Sequence, residues 1–419
     1  MKKEFSAAQI QRIKEALPFW CEQFDYACIL NSNNLASACG YDNYELIVGV
    51  SNGKTRTYSH LNSMVPSSSW KLGYFSYDYN HSLFGMKQTE KSRSNFESCF
   101  FFEPQIMVLL KNHSFEIEII GSDEDLIYEI IHYKRGEESH SEIKMEAVTS
   151  RKEYLSNVEK IKKQITDGDF YELNYCMEFF DKNAKISAAQ VFHQLTIISP
   201  TPFASYFKHR QNYLLCASPE RFLKKNGDTI IAQPMKGTIR RGMNTTDDEA
   251  LKEALFQSEK ERAENIMIVD LMRNDLAQCA ETGSVVAQEL LGVYSFATVH
   301  QLISTVTATL RKNISIDEIF THTFPMGSMT GAPKREVMQN IDAYEPVARG
   351  LFSGSVGYIS PDDDFDFNVV IRSIVYNKET HYLSCHVGSA ITYDANGEQE
   401  YDECLLKTRT MFGALGIAH

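Results

Sequence analysis

No apolar run in the 419-residue chain approaches the ~20 residues that a helix needs to cross a bilayer. The opening Met1-Lys2-Lys3-Glu4-Phe5-Ser6 leads into an amphipathic stretch that lacks the apolar segment of an export signal. A cytoplasmic protein with no membrane partner is therefore expected. An excess of positive charge is also missing: 42 Lys and Arg stand against 55 Asp and Glu, for a net charge of -13. That balance disfavours nucleic acid and other polyanions as partners. The nine cysteines, at 21, 28, 39, 99, 176, 216, 279, 385 and 404, are odd in number and contain no C-x-x-C pair. Neither a disulfide framework nor a zinc site is implied, and reduced, mostly buried thiols are expected. Internal repeats and low-complexity tracts are absent too. What remains, 43% apolar and 23% charged residues, is enough for a large core or for two domains.

Composition shifts in the polar stretch 134–141, which sets an expected division into a strand-rich N-terminal part, 1–147, and a second part, 148–419. Strand-like runs in the first part include 44–50, 100–110 and 115–120. In the second, Tyr154, Val158, Ile161 and Ile165 recur at helical spacing until Asp167-Gly168-Asp169 stops them. Tyr171, Leu173, Tyr175, Met177 and Phe179 then alternate with Glu172, Asn174, Cys176 and Glu178, the pattern of a half-buried antiparallel strand. Asn226-Gly227 between two apolar runs signals a hairpin. Val369 to Tyr376 and His381 to Val387 predict two more strands, and 258–276 and 399–415 two helices. Strand pairs interrupted by groups of helices, without regular βαβ alternation, predict an α+β fold with antiparallel sheets.

Four constellations carry possible chemistry. Glu261 and Glu264 lie three apart on one helix, and Glu400, Glu403 and Lys407 form a similar stripe on the other. Two such pairs could hold one Mg²⁺, which accepts few carboxylates and keeps its waters; solvated helix faces give the same spacing. Arg372 interrupts an apolar run, where a guanidinium taken out of water needs an anion, unless that face of the strand meets solvent. The segment 324–334 contains Gly327, Ser328, Thr330 and Gly331 and can aim backbone N–H groups at an anion or serve as a plain turn. It is no P-loop, since Ala332-Pro333-Lys334 replaces Gly-Lys-Ser/Thr. Finally, Glu220 and Lys236 flank the hairpin. A two-residue turn puts them on opposite faces, whereas a longer loop or a kink at Pro234 puts them on the same one.

Taken in order, the strings 217–222, 234–238, 262–276, 324–334, 350–360 and 400–407 resemble the chorismate-utilising enzymes, the family of anthranilate synthase component I, aminodeoxychorismate synthase component I, isochorismate synthase and salicylate synthase. The resemblance runs from about residue 151 to 415, with a looser match at 72–78. It implies the anthranilate synthase component I-like fold, antiparallel sheets packed face to face with helices outside. Lys236 in the Pro-x-x-Gly-Thr block is similar to the aminodeoxychorismate synthase branch, where anthranilate synthases carry alanine. Glu172 stands where isochorismate and salicylate synthases carry a water-activating lysine, and where aminating relatives commonly carry glutamine. The implied activity is a transferase reaction, amination of chorismate to 4-amino-4-deoxychorismate on the route to 4-aminobenzoate and folate.

The resemblance also implies roles. Lys236, expected to be uncharged, attacks C2 while a protonated Glu220 releases the C4 hydroxyl. Glu264 and Glu403 ligate Mg²⁺, with Glu261 and Glu400 acting through water. Arg372 and Tyr358 hold the enolpyruvyl carboxylate; Lys407, the Gly388 backbone and the loop Gly327, Ser328, Thr330 and Gly331 grip the ring end; Thr238 sits beside the nucleophile. Besides Glu172, two further departures from the family pattern are Gln301, where many relatives carry histidine, and Ala390 in place of a glycine. No cysteine lies in a glutaminase elbow, so ammonia is expected from a separate glutamine amidotransferase subunit.

Overall fold

In the strand Asn212–Ser218, Leu214 and Cys216 point into one apolar layer while Tyr213, Leu215 and Ala217 point into another. Tyr26 and Cys28 against Ala27 and Ile29 repeat the division in Tyr26–Asn31. Strands buried on both faces in this way belong to a sheet covered on both sides. The computed structural model describes residues 1–35, 43–64, 68–85, 91–123, 125–134, 141–296 and 299–417, and within them two antiparallel sheets stack face to face. A 12-stranded sheet runs from Lys2–Glu4 at one edge, through Phe203–His209, Asn212–Ser218, Ser373–Asn377, Tyr382–Ile391 and Glu172–Asp181, to Gly331–Ala332 at the other. A 10-stranded sheet contains Met235–Arg240, Val299–Thr309, Thr229–Gln233, Arg221–Asn226, Phe365–Asn368, Ser355–Ile359 and Lys71–Phe75.

Three apolar layers follow from the alternation. Leu72, Tyr74, Phe100, Phe207, Leu214 and Val356 fill the space between the sheets. The helices Ala7–Cys21, Arg151–Asp167, Ala188–Ile198 and Gly397–Ala414 pack on the outer face of the first sheet through Ile13, Leu17, Tyr154, Val158, Leu195 and Met411. Glu259–Ala277 and Ile316–Thr323 cover the second through Ile268, Met272, Leu276 and Phe320. Each such side chain removed from water contributes ~1.5–3 kcal/mol.

Residues 135–140, which hold most of the expected division, lie outside the described residues. Strands from both sides of residue 147 stand in each sheet; Tyr26–Asn31 pairs with Phe203–His209, and Lys71–Phe75 with Ser355–Ile359. The α+β architecture with helices outside is as the sequence predicts. Two local expectations need correction. The strand Glu172–Asp181 is covered on both faces, because its polar side meets Lys236, the Ser328 carbonyl, Tyr382 and Arg93 instead of water. The strand expected from Val369 begins only at Ser373, since Arg372 adopts φ +49. All eight described cysteines are free and buried; Cys39 lies outside the described residues.

Candidate active site

The hairpin turn has two residues, Gly227-Asp228, with Asn226 opposite Thr229. Simple alternation from that turn would separate Glu220 from Lys236. A bulge between Arg221 and Lys224 shifts the register, and a second irregularity between Met235 and Thr238 bends the next strand. Gly237 permits the second, at φ +90, and a Cβ there would lie 3.1 Å from Glu261 Oε2. Bulges of this kind re-aim side chains, and the result is that Glu220 and Lys236 share one site. Glu220, 5% exposed, accepts hydrogen bonds from the Ser328 hydroxyl and the Met235 N–H, and feels the charge of Lys236. Burial, only partly offset by these contacts, raises its pKa to about 7. The base of the hairpin is fixed by Arg221, whose guanidinium meets both oxygens of Asp366 at 2.9 and 3.1 Å.

Lys236 Nζ donates to Glu172 Oε1 at 3.0 Å. Burial opposes its charge, but Glu172, Glu264 and Glu220 outweigh burial and hold the pKa above the ordinary lysine value. The expectation of an uncharged amine is therefore corrected: the acidic groups of Glu172, Glu264 and Glu220 keep Lys236 an ammonium in this state.

Both acidic pairs occupy the first two turns of their helices. Ser258 caps one helix by accepting from Glu261 N–H, and Asn396 caps the other by accepting from Glu398 and Gln399 N–H. First-turn acids suit the positive ends of the helix dipoles. The two stripes face each other, because Glu261 and Glu403 repel across the gap. Burial raises the pKa of Glu261 and Glu400, and that of Glu264 to about 7; burial also acts on Glu403, but Lys407 overrides it and lowers the pKa. Among the described residues no three acidic, histidine or cysteine groups close into a metal cage. Lys260 lies between the helices instead, 3.9 Å from Glu264 and 3.6 Å from Glu400. An ammonium held between two helix carboxylates shows that the gap accepts a cation, and Mg²⁺ needs only one or two protein carboxylates beside its waters.

The remaining candidates divide. Arg372 is half-buried, desolvation lowers its pKa, and among the described residues no carboxylate pairs with it. Its carbonyl accepts from Ala217 N–H, while Val369 N–H donates to the Glu220 carbonyl, so Arg372 stands beside the Glu220 turn. Lys407 Nζ bonds the Gly388 carbonyl at 2.8 Å and Glu403 at 2.7 Å. The loop with Gly327, Ser328, Thr330 and Gly331 docks on the Glu172 strand: Asn174 N–H donates to the Thr330 carbonyl, and a Cβ on Gly331 would fall 2.0 Å from the Glu172 carbonyl oxygen. Thr238 is exposed and accepts from Gln301 Nε2 at 3.2 Å. Tyr358 is placed elsewhere. Alternation along Ser355–Ile359 turns it into the layer between the sheets, 5.6 Å from the Trp70 ring and 6.0 Å from the Tyr44 ring, lining a cavity with Asn31, Phe203 and Asp366. Its pairing with Arg372 is withdrawn.

Lys260 was missed by the sequence reading, although its i, i+4 relation to Glu264 is visible there. Asn265 was missed as well. Its amide donates to the carbonyls of Lys236 and Leu302 and its oxygen accepts from Ser304 Oγ at 2.6 Å, tying the Lys236 strand to the Glu261 helix. A buried asparagine in line with Ile268, Val269 and Met272 is the signal.

The sequence profile described as chorismate binding enzyme matches residues 35–413. The chain belongs to that family. It is 40% identical over 269 residues to the chloroplastic aminodeoxychorismate synthase of Arabidopsis thaliana, covering 64% of this chain and 29% of that one. Against aminodeoxychorismate synthase component 1 of Bacillus subtilis (strain 168) identity is 29% over 374 residues, 83% of this chain and 77% of that one. The chain thus spans under a third of the plant relative and about three quarters of the bacterial one. The fold is similar to a crystal structure of anthranilate synthase component I from Streptococcus pneumoniae TIGR4, with TM-score 0.72, 22% identity, and coverage of 83% of this chain and 81% of that one. Among the described residues no helix is long and apolar enough to cross a membrane.

Proposed function

We propose that this chorismate-binding chain aminates chorismate with ammonia to give 4-amino-4-deoxychorismate, on the way to 4-aminobenzoate. The observation that carries the reading is the meeting of an amine and a carboxyl of raised pKa in one buried site, Lys236 beside Glu220. Lys236 first gives up a proton, and the carboxylate at hydrogen-bond distance, Glu172, is the nearest acceptor. The free amine bonds to C2 of the cyclohexadiene, both ring double bonds shift, and the C4 hydroxyl leaves as water with the proton of Glu220. Ammonia then bonds to C4 and the lysine departs from C2. Pyruvate stays on the ring.

Binding follows from charge. Arg372 suits the enolpyruvyl carboxylate because its guanidinium is desolvated beside the Glu220 turn. Glu264 and Glu403 would hold Mg²⁺, with Glu261 and Glu400 acting through water. When bound, the ion neutralises the ring carboxylate of chorismate against the surrounding acids. Lys407, the Gly388 backbone and the Gly327 to Gly331 loop border the ring end, and Thr238 flanks the nucleophile. The name component 1 of the Bacillus relative supports a separate glutamine amidotransferase subunit as the ammonia source. The buried free thiols support a reducing, cytoplasmic setting.

Incubation of the purified chain with chorismate, Mg²⁺ and an ammonium salt, read by mass spectrometry, tests the proposal. Aminodeoxychorismate is expected, with loss of turnover on chelation and recovery on adding Mg²⁺. Anthranilate with pyruvate, or binding without turnover, overturns it. Arg372→Ala is expected to raise the KM for chorismate ~10–100-fold, the worth of one or two charged hydrogen bonds, and to leave the KM for ammonium unmoved. Equal effects on both constants would remove Arg372 from the carboxylate site.

A further inference from the structure

We propose that Glu172 receives the ammonium ion consumed in the amination, its second carboxylate oxygen being the point at which that ion binds. The inference rests on the reading above and adds to it the place where the second substrate sits.

Glu172 is fully buried. It lies on the strand that pairs with Gly331–Ala332, and one oxygen accepts from Lys236 Nζ at 3.0 Å. The other oxygen, Oε2, is buried without a hydrogen-bond partner. A carboxylate oxygen in that condition is destabilising unless a donor reaches it. Two further acceptors share the condition: Asn174 Oδ1, two residues along the same face of the strand, and Gln301 Oε1, whose amide nitrogen donates to Thr238 beside Lys236. The strands Glu172–Asp181 and Val299–Thr309 each carry acceptors in want of donors. Chorismate offers one hydroxyl donor, at C4, while its two carboxylates accept and repel Glu172. A small cation with N–H donors on every side and no acceptor supplies them, and the proposed reaction consumes such a cation.

The protonic bookkeeping closes. In the resting enzyme the Glu172 charge is matched by the Lys236 ammonium. By the time Nζ is bonded to C2, Glu172 holds the Lys236 proton and Glu220 has given its own to the departing hydroxyl, so the ammonium ion held on Oε2 hands one proton to the Glu220 carboxylate and becomes ammonia. The nitrogen lone pair bonds to C4, both ring double bonds shift back, and the C2–Nζ bond breaks with its electron pair going to Nζ. Lys236 leaves as a neutral amine and takes the proton back from Glu172, which restores the ion pair. A glutamine here keeps an acceptor but has no charge to attract the cation.

The test is a pair of KM measurements on the Mg²⁺-loaded chain with chorismate and ammonium chloride. Glu172→Gln is expected to raise the KM for ammonium about tenfold and, with the acceptor of the Lys236 proton gone, to lower kcat as well, with the KM for chorismate unchanged. A fall in kcat with the KM for ammonium unmoved would overturn the proposal and leave Glu172 serving Lys236 alone. In the unsubstituted chain methylammonium is expected to compete with ammonium and not with chorismate, whatever the fold of the variant; absence of competition at about a tenfold excess over the KM for ammonium also overturns it. Absence of any aminated product from the unsubstituted chain would count against the proposed function instead.

Discussion

Lys236→Ala is expected to lower amination by on the order of 10³-fold or more, even with saturating ammonium, and to abolish any covalent adduct with chorismate. The size follows from its role: without the amine, ammonia must displace a poor leaving group directly and the reaction loses its easier two-step route. Stability is the complication. The ammonium is the hydrogen-bonded counter-charge of the fully buried Glu172, and stripping one partner from a buried ion pair costs ~3–5 kcal/mol. A lower Tm in Lys236→Ala would then mimic a loss of function through unfolding. Combining it with Glu172→Gln removes the stranded charge; the double variant is expected to recover most of the Tm and none of the adduct. Mass spectrometry of the intact chain after mixing with chorismate, beside a thermal melt, separates the two effects. An unchanged amination rate with excess ammonium in a folded Lys236→Ala chain would take the nucleophile out of the account.

Why Lys236 and Glu220 meet was not legible in the sequence, although each residue was. Asn226-Gly227 announces a hairpin through turn chemistry that is local, but the register beyond it depends on two bulges, and a one-residue slip exchanges the faces of every later side chain. The charge on Lys236 depends on Glu172 and Glu264, which come from elements far away in the chain. Helix spacing did indicate Glu261 with Glu264 and Glu400 with Glu403, because residues three apart share a face in any helix. Lys260 between them needed the second helix in place. Tyr358 shows the opposite failure: the motif around it is read easily, but alternation along its strand sends the ring between the sheets.

Glu220→Gln separates catalysis from stability in the opposite direction. Glutamine preserves the shape and the hydrogen bonds from Ser328 and Met235 but has no proton to give, so adduct formation is expected to fall ~10²–10⁴-fold. The pH dependence is equally specific. With burial raising the folded pKa to about 7, Glu220 is a competent acid below that pH, and its contribution falls about tenfold for each unit above it. Linkage gives the sign for stability. The unfolded chain releases this proton near its ordinary value of 4.5 and the folded one near 7, so between them the folded state binds more proton and stability falls as pH rises. Above 7 the deficit levels off at up to about 3 kcal/mol. Glutamine carries no such deficit, and at pH 8 the inactive variant is expected to melt above the parent chain while at pH 4 the two converge. Melting curves across that range, with single-turnover adduct formation read in the absence of ammonia, check both halves. A parent Tm contribution that rises with pH through this window would mean that Glu220 is held ionised, and the hydroxyl of chorismate would need another acid.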